Sequence, residues 1–145
     1  MIFSVSFFSQ TNENDKRKKQ FNISADGLAI EGYDPLSYFL GNPKKGLINL
    51  SYTNSGITYY FASQTNLDLF KKSPTKYEPA YGGWCAYAMG ATGEKVEIDP
   101  KTYKIVEGKL YLFYNAYFNN TLPKWNKDEM NLKAKADKNW LIFYK

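Results

Sequence analysis

The chain has 145 residues, enough for one domain with its own core, and a formal charge of +5 at pH 7. The absence of histidine excludes Ser-His-Asp and Cys-His catalytic arrangements and zinc fingers, and a single cysteine excludes an internal disulfide. The lysines are scattered apart from one basic cluster at residues 16–19, so we expect no nucleic-acid partner.

The first 20 residues lack the pattern of a folded element. Residues 1–8 are apolar but too short to span a membrane, and residues 9–20 are polar and without period. Basic residues follow the apolar stretch, whereas a secretory signal has them in front. We predict that residues 1–20 are a flexible leader or the remnant of an export signal, with an edge strand at residues 1–8 as an alternative. Residues 21–145 are predicted to form a single domain, exported or periplasmic if the signal is real and otherwise cytoplasmic.

Strands and short helices are predicted between residues 21 and 74. In chain order they are a strand at residues 28–30, a helix at 35–40, strands at 47–53 and 57–63, and a second helix. Asp34 can cap the first helix, and Pro35 suits its first position because the missing N–H is harmless there. Asn54-Ser55-Gly56 predicts a hairpin turn. Ser63 can cap the second helix, which Pro74 is expected to end.

Residues 81–90 contain the only cysteine, an adjacent glycine pair and three large aromatic residues, so we predict the functional site here. Glycines are unfavourable inside a helix, and Gly82-Gly83 therefore predicts a chain break or a close backbone approach before a helix at residues 84–89. Gly90 is expected to end that helix in the left-handed conformation. Cys85 would then lie in the first helical turn, where free N–H groups favour a thiolate. The alternative is a buried cysteine that fills space.

The remaining chain is predicted to form a strand, a hairpin and a terminal helix. Residues 95–99 alternate between polar and apolar, and Pro100 is expected to close that strand. Residues 105–106 and 110–113 flank Glu107-Gly108-Lys109, and the second of these strands lacks polar alternation, so we expect it to be central and covered on both faces. Four residues spaced by seven, four and four predict one face of a C-terminal helix: Trp125, Leu132, Ala136 and Trp140. The predicted fold is α+β, a small antiparallel sheet of hairpins packed with several short helices and a C-terminal helix.

Taken together, these motifs resemble the YHS-domain family in the longer form found in small, often exported bacterial proteins. The resemblance runs from about Ala29 to Trp140. It rests on Gly32-Tyr33-Asp34-Pro35 with Tyr38-Phe39, on Gly56 with Tyr59-Tyr60-Phe61-Ala62-Ser63, on Asn66, Phe70, Pro74 and Tyr77, on Tyr81-Gly82-Gly83-Trp84-Cys85-Ala86, on Asp99-Pro100 with Gly108-Lys109-Leu110-Tyr111, and on Ala136-Asp137 with Asn139-Trp140.

The resemblance implies a mixed fold of hairpins and short helices, related to the YHS modules of copper-transporting ATPases that are associated with heavy-metal binding. By this resemblance, Ala62 and Asn66 occupy the positions at which those modules typically carry cysteines. Neither side chain is a soft thiolate ligand. The histidine that gave the family part of its name is also missing. Cys85 remains as a soft ligand, and the family brings no settled reaction or substrate.

We therefore expect a non-enzymatic domain that binds a small ligand or a soft metal such as copper around Cys85. The expected ligand-binding residues are Tyr33, Asp34, Tyr81, Gly82, Gly83, Trp84 and Cys85. Cu(I) favours a second sulfur, and Met89 shares a helical face with Cys85 at i, i+4, although both residue types are also common in cores. One alternative is a redox sensor or enzyme that uses the Cys85 thiol with Asp34 or Tyr81 as base. Another is a protein-interaction domain that uses its aromatic surface.

Overall fold

The computed structural model describes residues 2–144 and the side chains of residues 9–144. Over this range the fold is α+β, as predicted, with seven α-helices and three two-stranded antiparallel sheets. The helices are α1 (Ile2–Gln20), α2 (Pro35–Phe39), α3 (Gln64–Lys72), α4 (Pro74–Tyr77), α5 (Ala86–Ala91), α6 (Thr121–Lys127) and α7 (Glu129–Ile142). The strands are β1 (Leu47–Asn54), β2 (Ile57–Phe61), β3 (Asp99–Val106), β4 (Lys109–Phe113), β5 (Asn115–Ala116) and β6 (Asn119–Asn120). None of the described helices is long and apolar enough to cross a membrane.

Both predicted hairpins are present, β1 with β2 and β3 with β4. The predicted strand at residues 28–30 is reduced to isolated bridges, Ile23 with Ala29 and Leu28 with Thr58. The strand predicted at residues 95–99 was wrong, because β3 begins where that strand was expected to end. Pro100 lies inside β3, in a stretch where the register with β4 is interrupted, so its missing N–H is tolerated there.

Strand β4 separates two hydrophobic clusters, which explains why its sequence shows no polar alternation. Leu110 and Leu112 belong to the first cluster, which also contains the inward side chains of β2. Tyr111 and Phe113 belong to the second cluster, together with Trp125. The predicted coverage of both faces is therefore confirmed, but β4 is not central, because its sheet has only two strands within residues 2–144.

Helix α5 does not end where the sequence pattern indicated. Gly90 lies inside the helix without a positive φ, and the left-handed residue after the helix is Gly93, with φ 77°. A Cβ atom at Gly90 would lie 2.5 Å from the carbonyl oxygen of Leu132 in α7. Gly90 is therefore needed for the close crossing of α5 and α7, a tertiary constraint that local sequence does not reveal.

The predicted C-terminal helix is divided in two at Asp128, which has φ −148° and ψ 40°. Trp125 lies in α6 and is completely buried, whereas Trp140 lies in α7 and is half-buried. Leu132 and Ala136 of α7 are buried in the second cluster, so the predicted apolar face is real although it spans two helices.

Residues 2–20 form helix α1, where the sequence analysis expected no regular structure. The Arg17 guanidinium donates to the Glu78 carboxylate at 2.6 Å, and the Trp84 Nε1–H donates to the Gln20 carbonyl oxygen at 2.7 Å. The helix lacks a hydrophobic period and is attached by polar contacts from its last turns, which explains why pattern analysis missed it. The side chains of residues 1–8 lie outside the described residues, so an export-signal remnant there stays a prediction.

Candidate functional site

The glycine pair interrupts regular structure with a tight turn, as expected of the predicted chain break. Tyr81, Gly82 and Gly83 have φ angles of 57°, 59° and 86°, so three consecutive residues are left-handed. A Cβ atom at Gly82 would lie 2.8 Å from the Trp140 ring. For a non-glycine residue such as Tyr81, this conformation costs about 1–2 kcal/mol. Backbone strain of this kind concentrates at functional sites.

Contacts of the Tyr81 side chain hold this strained conformation in place. The Tyr81 hydroxyl donates to Asp137 Oδ1 of α7 at 2.8 Å, and its ring lies 5.8 Å from the Tyr111 ring on β4. Burial, together with the hydrogen bond to Asp137, raises the pKa of Tyr81 well above its usual range. Tyr81 therefore stays protonated at neutral pH and acts as a fixed hydrogen-bond donor.

A cavity of about 350 Å³ opens beside Tyr81, within the size range of small-ligand pockets. Its aromatic walls are Phe21, Tyr81, Tyr111, Trp140 and Tyr144. Its charged lining residues are Arg17, Glu78, Lys109 and Asp137. The lining comes from the end of α1, the segment before the glycine pair, β4 and α7, so the cavity forms only when these elements pack together.

A buried polar network surrounds Glu78 at one side of this cavity. Glu78 is 6% exposed, and its Oε2 accepts hydrogen bonds from Arg17 at 2.6 Å and from the Tyr59 hydroxyl at 2.7 Å. Burial, assisted by the Glu78 carboxylate, raises the pKa of Tyr59. Within residues 9–144, Glu78 Oε1 accepts no hydrogen bond, which leaves one carboxylate oxygen open to a ligand.

Lys109 places an incompletely satisfied ammonium group in the same cavity. Its Nζ donates to the Thr75 carbonyl oxygen at 3.2 Å and forms no ion pair with a described carboxylate. Desolvation lowers the pKa of Lys109, while the charge of Glu78 acts in the opposite direction. Burial also raises the pKa of nearby Tyr111 to about 12, with Asp137 contributing.

Tyr33 and Asp34, two expected ligand-binding residues, lie away from the Tyr81 cavity. Asp34 is fully buried, and its carboxylate accepts hydrogen bonds at 2.8 Å from Leu36 N, Ala62 N and Asn66 Nδ2. It caps α2, as predicted, and also links that helix to the end of β2 and to α3. Ala62, through its backbone N–H, and Asn66, through its side chain, thus both donate to Asp34 Oδ2.

Cys85 is fully buried directly before α5, so it lies one position ahead of the helical turn in which it was expected. Its Sγ accepts a hydrogen bond from the Tyr114 N–H at 3.3 Å and lies 3.5 Å from Thr121 Oγ1. A second cavity of about 320 Å³ is lined by Cys85, Tyr114 and Thr121, whereas Tyr81 does not line it. The glycine reversal therefore directs Tyr81 and Cys85 to different surroundings.

Met89, the expected second sulfur ligand, is fully buried in the second hydrophobic cluster. Neither cavity described here is lined by it. Among the described residues there is no group of three or more Cys, Asp or Glu side chains positioned to hold one metal ion.

Trp84 is half-buried, with its indole N–H bonded to the Gln20 carbonyl oxygen, and Gly83 contributes backbone to the same reversal. Of the expected ligand-binding residues, Tyr81 and Gly82 line this cavity. Its charged lining residues, Arg17, Glu78, Lys109 and Asp137, were not among those expected. These four come from distant parts of the chain, and no local spacing connects them.

Comparison of the chain with family models, with curated proteins and with solved structures finds no match.

Proposed function

We propose that this chain is a non-enzymatic, small-ligand-binding domain of the YHS type, and that its ligand occupies the cavity beside Tyr81. The observation that carries this proposal is the combination of a cavity of about 350 Å³ with a strained backbone at its wall. The left-handed turn at Tyr81 and Gly82 lies against Trp140, and all three residues line the cavity. The YHS assignment rests on the sequence motifs quoted above.

Binding is favoured over catalysis because the Tyr81 hydroxyl and one oxygen of Glu78 are already held by structural partners. Glu78 Oε2 accepts two hydrogen bonds, and the Tyr81 hydroxyl donates to Asp137. The raised pKa of Tyr81 keeps its proton in place at neutral pH, so it is a poor general base. Such fixed groups are suited to orienting a ligand.

The Cys85 thiol supports the metal and redox alternatives less well. Its sulfur is fully buried and already accepts the Tyr114 N–H, so a metal ion or an oxidant would have to displace this contact. Met89 is packed among core side chains, and moving it toward a metal would open a cavity in the second cluster. We therefore place the ligand at Tyr81.

The test is a small-molecule screen read by ¹⁵N NMR. The chain has three tryptophans, and only Trp140 lines the Tyr81 cavity, while the indole N–H groups of Trp84 and Trp125 donate to Gln20 and Glu129 elsewhere. Ligands in this cavity should shift the Trp140 indole resonance and leave the other two unchanged.

A matched pair of variants locates the binding site. Leu141 lines the cavity and is 61% exposed, whereas its neighbour Ile142 is 62% exposed and does not line it. Leu141→Trp should obstruct the cavity and abolish the Trp140 shift, whereas Ile142→Trp should bind as the wild type does. Equal binding by both variants, or a screen without a Trp140 shift, would refute the proposed site.

A further inference from the structure

We propose that the ligand of the Tyr81 cavity is a small zwitterion with an aromatic side group, an aromatic amino acid being the simplest member of this class; this inference rests on the proposed function. The carboxylate of the ligand binds Lys109, and its ammonium group binds Asp137.

The cavity is lined by one ion pair and by two further charged side chains that form no ion pair with a described residue. Arg17 and Glu78 neutralise each other at 2.6 Å with little exposure of either side chain. Lys109 and Asp137 also line the cavity, but neither forms an ion pair with the other or with any other described side chain. A cation and an anion that face one cavity without pairing provide complementary charges for the two ends of a zwitterion.

Lys109 is the better defined of the two ends. An ammonium group has three N–H donors, and that of Lys109 has one described hydrogen bond, to the Thr75 carbonyl oxygen at 3.2 Å. Lys109 is partly buried, and its remaining donors are free of any described protein acceptor. A ligand carboxylate supplies charge-assisted acceptors for these donors.

Asp137 provides the acceptor for the other end of the ligand. Its Oδ1 holds the Tyr81 hydroxyl, and Oδ2 accepts no hydrogen bond within residues 9–144. The contact with Tyr81 holds the carboxylate in place, so a ligand ammonium meets an oriented acceptor.

Aromatic walls lie between the two charged ends. Lys109 and Tyr111 are two residues apart on β4 and therefore face the same side of the strand. Tyr111 in turn contacts the Tyr81 ring, whose hydroxyl reaches Asp137. Trp140 also lines the cavity. An aromatic side group placed here packs against rings while the charged groups of the ligand reach Lys109 and Asp137.

Three probes with a common phenyl group separate these contributions. Phenylalanine carries both charges, 3-phenylpropionate carries the carboxylate alone, and 2-phenylethylamine carries the ammonium alone. We expect the Trp140 indole resonance to report phenylalanine binding at pH 7 with at least fivefold higher affinity than either singly charged analogue.

Charge-neutralising variants then assign each end. Lys109→Met should lower the affinity for phenylalanine at least fivefold. The affinity for 2-phenylethylamine should stay unchanged or increase. Asp137→Asn keeps an acceptor for the Tyr81 hydroxyl. This variant should lower the affinity for phenylalanine and leave the affinity for 3-phenylpropionate unchanged. Lys135→Met changes an exposed lysine of α7 that does not line the cavity and serves as the control.

The outcomes distinguish this inference from the proposed function. Equal binding of the three probes, or equal loss of all three in both variants, overturns the zwitterion assignment while the cavity remains a binding site. Binding of other small molecules with no response to phenylalanine overturns it in the same way. If no small molecule shifts the Trp140 resonance, the proposed function fails as well.

Discussion

Replacing Arg17 tests whether the end of α1 is part of the folded domain. The side chain of Arg17 is 16% exposed and that of Glu78 is 8% exposed, so the pair is largely removed from water. Breaking a buried ion pair by removing one partner costs about 3–5 kcal/mol, because the other charge is left uncompensated. Tyr59 still donates to Glu78 after the change, which reduces the expected loss for Arg17→Met to about 2–4 kcal/mol.

The free energy of unfolding should be measured by urea denaturation with tryptophan fluorescence. A loss of about 3 kcal/mol is a large fraction of the ~5–15 kcal/mol of an ordinary domain. Lys18→Met, an exposed neighbour in α1, is the control and should change stability by less than about 0.5 kcal/mol. If Arg17→Met is equally silent, α1 is not docked in solution and the flexible-leader prediction is the correct one.

A double-mutant cycle separates the ion pair from the other contacts of Arg17. The guanidinium also donates from Nε to the Ser55 carbonyl oxygen at 3.0 Å and lies 4.5 Å from the Phe21 ring centre. Glu78→Gln keeps an acceptor for Tyr59 and removes the charge. The double variant should lose about 2 kcal/mol less than the sum of the single losses, because neither charge is then left unpaired. Additive losses would assign the effect of Arg17 to its contacts with Ser55 and Phe21 instead of the ion pair.

Three further measurements test other parts of the structure. Tyr117 and Phe118 form the β5–β6 turn with φ angles of 51° and 62°, and both are exposed. Replacing them by Asn and Gly should therefore raise the free energy of unfolding by about 1–2 kcal/mol, measured by thermal unfolding. An unchanged melting temperature would contradict the turn geometry. Trp125→Ala should cost about 3–5 kcal/mol in urea and Trp140→Ala less, because only Trp125 is fully buried; the reverse order would show that α7 packs differently. Cys85 should react with iodoacetamide only slowly in the native state and rapidly in urea, and fast native alkylation at neutral pH would restore the reactive-thiol alternative.

Elements defined by neighbouring residues were predictable from sequence. The Asp34 carboxylate accepts the Leu36 N–H, and the Ser63 hydroxyl accepts the Asn66 N–H, as expected of helix caps. The turn at residues 54–56 closes the first hairpin as predicted. In each case the conformation is decided within a few residues, so local chemistry is sufficient.

Elements decided by distant contacts were not predictable in this way. Position 90 requires glycine because the backbone of Leu132 in α7 approaches it closely. Helix α1 is attached through Arg17 to Glu78, which is 61 residues away in the chain. The charged lining of the cavity has the same origin, because Lys109 and Asp137 come together only when β4 and α7 pack around the glycine reversal. Composition and period contain no signal for such pairs.

The break at the glycine pair was predictable from sequence, whereas the different surroundings of the residues on its two sides were not. Sequence reasoning identified a break at Gly82-Gly83 but treated the residues on both sides as one candidate site. Left-handed conformations at three consecutive residues reverse the chain, so Tyr81 faces Tyr111 and Asp137 while Cys85 faces Tyr114. A substitution that straightens this reversal should therefore alter both surroundings at once, even though the two side chains line separate cavities. The backbone between them, more than either side chain, determines which cavity each side chain lines.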